Sequence, residues 1–327
     1  MLTRRTLLAG SAAGALMPPL GRPALAQNWP NRFVRLVIPF PPGGGNDAVG
    51  RILSARLSEM WGQQIIIENR GGAGSNIGAE AAARSEPDGY TIFFASLPLA
   101  INRFIYSSLP YDALTDFAPI SMLCTFPNVM GVPNSSPVKS VGEFIAYAKE
   151  NRGKINFASS GIGTSPHLCG ELFKRMAGIE MTHVPYRGAG PALTDVIAGR
   201  VEMMFNTIGA MLTQVRNGQL RGLAVSSAER VPTAMELPTV AESGVPGFDV
   251  SGWYALFAPV KTPVEIVRKM NADTVTALAD PAVKKKLEDL GVVVGSSTPE
   301  QLGVILKAEI EKWGPVIKTA GISMQDR

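Results

Sequence analysis

Hydrophobic positions along this chain alternate between short unbroken runs and runs at helical spacing. Residues 33–40 form an apolar, β-branched stretch that reads as a core strand. Pro41 and Pro42 end it, because proline donates no ladder hydrogen bond. Gly43, Gly44 and Gly45 follow, then Asn46 and Asp47 as N-cap candidates. Val49, Ile52, Leu53, Leu57 and Met60 recur at helical spacing. Strand, glycine turn and helix start make a ready anion site, with free backbone N–H groups at the positive end of a helix dipole. Two other readings stay open. Gly43-x-Gly45-x-x-Ala48 satisfies the dinucleotide pattern, with Glu68 near the ribose-binding position. The glycines could also serve only as a tight turn.

The alternation continues. Residues 63–68 read as a strand, 71–76 as a second glycine loop, 77–84 as a helix and 90–95 as a strand. Such β-turn-α alternation predicts a mostly parallel sheet with helices on its faces and ligands at the strand ends. The loops there are 43–47, 71–76 and 96–102. Residues 117–123 and 128–132 read as two short runs around Thr125-Phe126-Pro127, a crossing into a second domain. Ser140 with Glu143 predicts a capping box. A strand at 154–159 leads to loop 160–164, with Ser165 as cap and Pro166 at the first helical position. Strands at 181–185 and 201–205 enclose a helix at 191–198, and a helix near 211–216 and the segment 220–226 follow. Loop 161–164 thus repeats the chemistry of 43–47, and two such loops can face each other across a cleft. A strand at 250–258 carries Trp253 and Tyr254. Thr262 with Glu265, and Thr298 with Gln301, read as capping boxes for two long helices that return to the first domain, with a shorter helix from Asp280-Pro281 between them.

Charge and address narrow the function. Arg4-Arg5 before an apolar stretch, then Ala24-Leu25-Ala26, read as an export signal over residues 1–26, by the twin-arginine or the general route, into a bacterial periplasm. Three cations, Arg4, Arg5 and Arg22, precede Gln27 with no acid among them, so most of the formal charge of +4 belongs to the leader. No basic block interleaved with aromatics suggests nucleic acid. The two cysteines, Cys124 and Cys169, read as buried free thiols. His183 reads as a structural strand histidine. His167, beside the 161–164 loop, reads equally as a ligand contact or a local helix-start bond. Neither a G-x-S-x-G elbow, a P-loop, a zinc set nor an EF-hand occurs. The chemistry points to capture rather than conversion, with no catalytic residue, metal or cofactor.

Segments such as VRLVIPFPPGGGNDAVGRIL, IIIENRGGAGSNIGAEAAARSEPDGYT, FASSGIGTSPHLCGELFKRMAG and MTHVPYRGAGPALTDVIAGRVEMMF closely resemble the Bug-type substrate-binding proteins of tripartite tricarboxylate transporters, in family order over nearly all of the mature chain. The resemblance implies an α/β type II periplasmic-binding-protein fold: two lobes with a hinged cleft, closing on a small organic carboxylate held mainly by main-chain N–H groups. It implies lobes over 27–124 with 228–327, and over 125–227, in a monomer that serves membrane permease subunits. Ligand contacts carried over by position are Pro41, Gly43, Gly44 and Asp47, with Ser75, Asn76, Ser96 and Asn102, from the first lobe. From the second they are Ser160, Gly161, Thr164 and Asn206, with His167 flanking. Asp47 is expected to cap its helix or order water rather than meet an anion. Asn46, Leu97-Pro98 and Asn206 depart from the common pattern and tell against a tricarboxylate. Arg187 is either a second-carboxylate partner or a solvated loop residue. The rival readings are an exported NAD(P)-dependent oxidoreductase using the Gly43 loop and a sensor's periplasmic partner.

Overall fold

The structure, a computed structural model, describes residues 29–323; the export signal read at 1–26 lies outside them. In chain order the strands are β1 (Val34–Ile38), β2 (Ile65–Asn69), β3 (Thr91–Ser96), β4 (Phe117–Pro133), β5 (Asn156–Ser159), β6 (Thr182–Pro185), β7 (Met203–Thr207), β8 (Leu220–Val225), β9 (Ser251–Pro259) and β10 (Val293–Val294). The helices are α1 (Gly45–Trp61), α2 (Asn76–Ala83), α3 (Pro98–Ile105), α4 (Val141–Glu150), α5 (Ser165–Met176), α6 (Ala189–Ile197), α7 (Ile208–Arg216), α8 (Val264–Ala279), α9 (Pro281–Asp289) and α10 (Pro299–Ala320).

The strands run in the order β2-β1-β3-β9-β4-β7-β5-β6, with β8 and β10 also on β4. Parallel pairing is confined to the two ends, β2-β1-β3 and β6-β5-β7. Between them β9 and β4 run antiparallel to their neighbours. The sheet is therefore mixed, where the β-turn-α rhythm predicted a mostly parallel one. The antiparallel strands arise because β4 and β9 carry the chain between two lobes.

β4 is the element the sequence read least well. Its two apolar runs are one continuous strand of 17 residues. The first part pairs with β9 as far as Pro127 opposite Ser251, and the part from Asn128 pairs with β7 and β8. Pro127, which cannot donate, sits where the pairing partner changes, so it ends one ladder without ending the strand. Residues 231–250 then bond along the β8 side. Val225 N–H donates to the Pro238 carbonyl, Val240 N–H to the Val225 carbonyl and Val250 N–H to the Ser226 carbonyl. Phe248 stacks on Phe205 with ring centroids 6.0 Å apart.

The continuous apolar runs are explained by burial on both sheet faces. Val37, Phe93 and Ala95 enter one core, and Leu36, Ile38, Ile92 and Phe94 the other. Helices sit close where glycine allows it. A Cβ on Gly50 would stand 2.6 Å from Ile38 Cδ1, and one on Gly170 would stand 2.2 Å from the Phe157 ring.

Helix starts sort the capping signals. Thr298 and Gln301 form the reciprocal box read from sequence. Ser140 accepts from Glu143 N–H, but the Glu143 carboxylate accepts from Lys139 N–H instead of closing the box. The box read at Thr262 does not form, because Pro263 is extended and itself precedes the first helical residue. The loop read at 96–102 is helix from Pro98 on, the start of α3, with Pro98 in its first turn.

Gly170→Ala should lower stability by about 1–3 kcal/mol through overpacking against Phe157. Gly142→Ala in α4, where a Cβ meets nothing within 4 Å, should be neutral or stabilising. Chemical denaturation of both variants measures the contrast.

Candidate functional site

Between the two ends of the sheet lies a cleft with a small central chamber of about 50 Å³. One wall comes from Phe40, Pro41, Gly44, Gly45 and Asn46, with Ser96, Leu97 and Pro98 beside them. The opposite wall comes from Ser160, Thr164, Ser165 and Pro166, then Gly188, Ala189, Asn206 and Thr207. Phe126 of β4 and Tyr254 of β9 complete the lining, with rings 4.3 Å apart. Two further pockets flank the chamber. An apolar one contains Val49, Leu193 and Ile208, and another contains Ser75, Tyr106 and Arg187.

The chamber is defined by helix starts. Gly44, Leu97, Thr164, Gly188 and Thr207 are the N-cap residues of α1, α3, α5, α6 and α7, and all five line it. None of the five caps its helix through a side chain. Of the remaining starts, α4, α9 and α10 are capped by Ser140, Asp280 and Thr298, while α2 at Ser75 and α8 at Pro263 are uncapped and lie outside the chamber lining. An uncapped start leaves its first amides without intrahelical acceptors and presents the positive end of the helix dipole. No side chain of the chamber lining carries a formal charge. The site is therefore positive through its backbone, the chemistry expected of the two glycine loops, extended to five.

Three side-chain donors add to it. Asn206 Oδ1 accepts from Thr207 N–H at 2.9 Å, which fixes the amide orientation. That leaves Asn206 Nδ2, and with it Thr207 Oγ1, buried and without a partner among the described residues. Burial holds the Tyr254 hydroxyl well above its ordinary pKa, with buried Cys124 adding to the effect, so it stays protonated as a donor.

The sequence-derived candidates separate into two groups. Pro41, Gly44, Ser96, Ser160, Thr164 and Asn206 line the chamber. Gly43 lines the apolar flank, and Ser75 and Gly161 the flank that also holds Arg187. Asp47, Asn76, Asn102 and His167 are in none of these linings and stand behind the walls. Asp47 is not an N-cap but lies in the first turn. Its Oδ2 accepts from Gly43 N–H at 3.1 Å and from Arg51 Nε at 2.9 Å, and its Oδ1 from Asn69 Nδ2 at 3.1 Å. Burial alone would raise its pKa; the bonds from Arg51, Gly43 and Asn69 outweigh burial and hold it below the usual carboxylate range. Asn102 donates to the Gly74 carbonyl and to Asn76 Oδ1, which also accepts from the Tyr111 hydroxyl at 2.7 Å. These bonds join the second glycine loop to α3.

The second lobe's loop is pinned by a histidine pair. His167 and His183 stack with centroids 4.0 Å apart. His167 Nδ1 accepts from Gly163 N–H at 3.2 Å, and His183 Nε2 lies 2.7 Å from Ser159 Oγ. Ser159 Oγ accepts from Gly161 N–H, and Thr164 Oγ1 donates to the Gly161 carbonyl at 2.6 Å. Of the two readings left open for His167, the helix-start bond is the one formed. Cys124 and Cys169 are free and buried.

Sequence reasoning missed Gly188 and Thr207 as helix-start members of the site, and Phe126 and Tyr254 as its aromatic wall. Gly188 carries the same strand–glycine–helix signal as Gly43 and could have been found by it. Phe126 and Tyr254 carry no such signal, because their place depends on β4 pairing with β9. Glu68, weighed as a ribose ligand, forms ion pairs with Arg35 and Arg70.

A two-lobed α/β fold with a cleft lined by helix starts is that of a periplasmic solute-binding protein. The family described as "Tripartite tricarboxylate transporter family receptor" matches residues 49–322, and this chain belongs to it. Protein BugT of Bordetella pertussis is 34% identical over 94% of this chain and 94% of its own. The structure of Rpa4515 of R. palustris with adipate is 39% identical with a TM-score of 0.88, covering 90% of this chain and 98% of that one. MatC of Rhodopseudomonas palustris with bound malate is 33% identical with a TM-score of 0.82, over 88% and 100%. The Bug-type resemblance and the two-lobe fold are thus borne out. The oxidoreductase reading finds no support in these relatives.

Two outcomes follow for the walls. Asp47→Ala frees the Gly43 amide and Arg51, and should weaken ligand affinity by roughly tenfold without touching ligand, read by calorimetry on the folded variant. The histidines set an acid limit. Burial, then His183 and Lys174, hold His167 well below its ordinary value; burial, then Lys174, bring His183 to about 3. Unfolded histidines protonate near 6.5, so between there and about 3 the unfolded chain binds more protons and stability falls with pH. Denaturation midpoints should decline from neutral pH toward about pH 5, above the usual carboxylate range, and His183→Gln should flatten that decline.

Proposed function

We propose that this chain is an exported receptor that captures a small organic carboxylate between its lobes in the periplasm and delivers it to the permease subunits of a tripartite tricarboxylate-type transporter. It works as a monomer, reaches the periplasm through the twin-arginine leader, and uses no catalytic residue or cofactor. The observation that carries this reading is the convergence of five uncapped helix starts on one chamber whose lining bears no charge. A carboxylate there accepts main-chain hydrogen bonds and neutralises dipole ends that nothing else in the lining neutralises. Relatives solved with adipate and with malate support the ligand class.

We place the first lobe at residues 29–127 with 251–323 and the second at 128–250. The hydrogen bonds of 231–250 to the β8 side favour a return at 251 over one at 228. Pro41, Gly44, Ser96, Ser160, Thr164 and Asn206 then form the carboxylate-binding set, with Thr207 and Tyr254 added. Gly43, Ser75 and Gly161 shape its flanks. Asp47, Asn76, Asn102 and His167 hold the loops in place. Closure of the lobes buries the ligand and shifts the population toward the closed form.

Titration calorimetry with acetate, malate, adipate and citrate tests the reading. Micromolar binding of at least one acid, about −8 kcal/mol, is expected, and the absence of heat and of any melting shift with all four would overturn it. Gly45→Ala separates binding from folding. Its backbone accepts a side chain, and alanine favours the helix. Its Cβ, however, would stand 3.1 Å from both Thr207 Oγ1 and the Tyr254 hydroxyl and fill the chamber. Affinity should fall by roughly tenfold or more, about 1.4 kcal/mol, with the melting temperature of the free protein unchanged or raised.

A further inference from the structure

The seam between the lobes is built on glycine. Gly188 of the second lobe meets the Pro41 ring of the first, where a Cβ would stand 3.3 Å from Pro41 Cγ and Cδ. Gly163 meets Asn102 and Gly74 meets the Ile162 carbonyl, where a Cβ would stand at 2.6 Å in both cases. A further contact outside the chamber is reciprocal. A Cβ on Gly209, in α7 of the second lobe, would stand 2.8 Å from the Leu290 carbonyl oxygen. A Cβ on Gly291, in the first-lobe turn after α9, would stand 2.9 Å from both Ile208 Cγ1 and Cγ2. Each lobe thus offers a bare backbone to the other at the same place.

Position gives this contact meaning. α7 starts at Thr207, whose buried, unpartnered Oγ1 lies in the chamber lining. The next residue, Ile208, is fully buried, and the one after it is Gly209. On the other side, the turn holding Gly291 runs directly into β10, which pairs with β4 at Cys124 and Thr125, beside the crossing at Pro127. One turn of helix therefore joins the ligand chamber to a first-lobe segment fastened to the crossing strand.

We propose that the docking of α7 onto residues 290–292 is the latch that converts ligand capture into lobe closure, with Gly209 and Gly291 as its positioning residues. The proposal rests on the two-lobe closure described above. It goes further in assigning closure to a contact that need not touch ligand. Drawing the α7 start toward an anion seats Gly209 on the Leu290 carbonyl. A side chain at 209 blocks the last few tenths of an ångström of that approach, and the open form, where the contact is absent, tolerates it. The 209 position has no positive φ, so alanine carries no backbone penalty.

The test reads closure directly, with or without ligand. A Cβ on Gly45, which has no positive φ, would stand 3.6 Å from Thr207 Cβ across the seam, within the separation a disulfide spans. The pair Gly45→Cys with Thr207→Cys therefore traps the closed lobes when oxidised by diamide, and buried Cys124 and Cys169 stay out of reach. Adding Gly209→Ala should slow trapping at least tenfold. Adding Gly190→Ala, at the same second position of α6 and with nothing within 4 Å of its Cβ, should leave the rate unchanged. On the otherwise wild-type chain, Gly209→Ala should weaken binding of whichever of the four acids binds, in parallel with the trapping rate, and leave melting of the free protein unaltered. Trapping of the Gly209→Ala protein at the parental rate overturns the latch. So does a parental pair that never traps, or a Gly209→Ala chain that fails to fold, since opening would then not relieve the contact. If Gly209→Ala slows trapping while adipate, malate, acetate and citrate all fail to bind, the latch stands and the carboxylate reading falls.

Discussion

The structure depends on gathering in one place five helix starts whose N-cap side chains make no capping bond, although in α1 Asn46 Oδ1 accepts from Asp47 N–H. A helix N-terminus often completes its first amides with a Ser, Thr, Asp or Asn side chain, as Ser140, Asp280 and Thr298 do at three starts away from the cleft. At the chamber the cap positions are Gly44, Leu97, Thr164, Gly188 and Thr207. The threonines among them do not cap, and Thr164 turns its hydroxyl to the Gly161 carbonyl instead. Several dipole ends aimed at a small volume repel one another, and no acidic side chain in the lining relieves that repulsion. An anion does. Specificity for negative charge follows without any arginine or lysine in the chamber, and the desolvation cost of burying such a side chain is avoided.

Holding the loops in that exposed state takes a second layer of bonds. Asp47 grips the Gly43 amide while answering to Arg51 and Asn69. The His167–His183 stack holds Gly163 and Ser159 in the other lobe. Asn102 ties the Gly74 loop to α3 and to Asn76. These residues are charged or strongly polar and buried or half-buried, and they sit behind the surface that meets solute. Their work is to keep backbone geometry fixed, so that binding does not have to order it.

β4 and β9 set the relation between the two walls. One continuous strand leaves the first lobe and enters the second, and its ladder partner changes at Pro127. Phe126 and Tyr254 lie on these strands and line the chamber where the walls meet. Glycines at the seam let the lobes approach to backbone contact.

Much of this was legible in the chain. The strand within 33–40, the glycine loop at 160–164 and the Thr298 capping box follow from local sterics and appear where those sterics place them, whereas the loop read at 43–47 is shorter, because α1 begins at Gly45 with Gly44 and not Asn46 or Asp47 as its N-cap. Local chemistry also marks Gly44, Ser160 and Thr164, because a glycine-rich strand-to-helix turn can do little else than expose amides. It could not tell that Asp47, Asn102 and His167 bond to the loops instead of lining the chamber. That difference is a matter of side-chain direction, fixed by Arg51, Asn76 and His183 from other segments. Nor could it join the two runs around Pro127 into one strand, since a proline reads as a break until its ladder partner is known. Of the helix starts, the sequence by itself determined that those beside Gly44 and Thr164 expose backbone amides. The tertiary structure alone decided that five such starts meet, because only the antiparallel crossing of β4 and β9 brings helix starts far apart in the chain to one chamber.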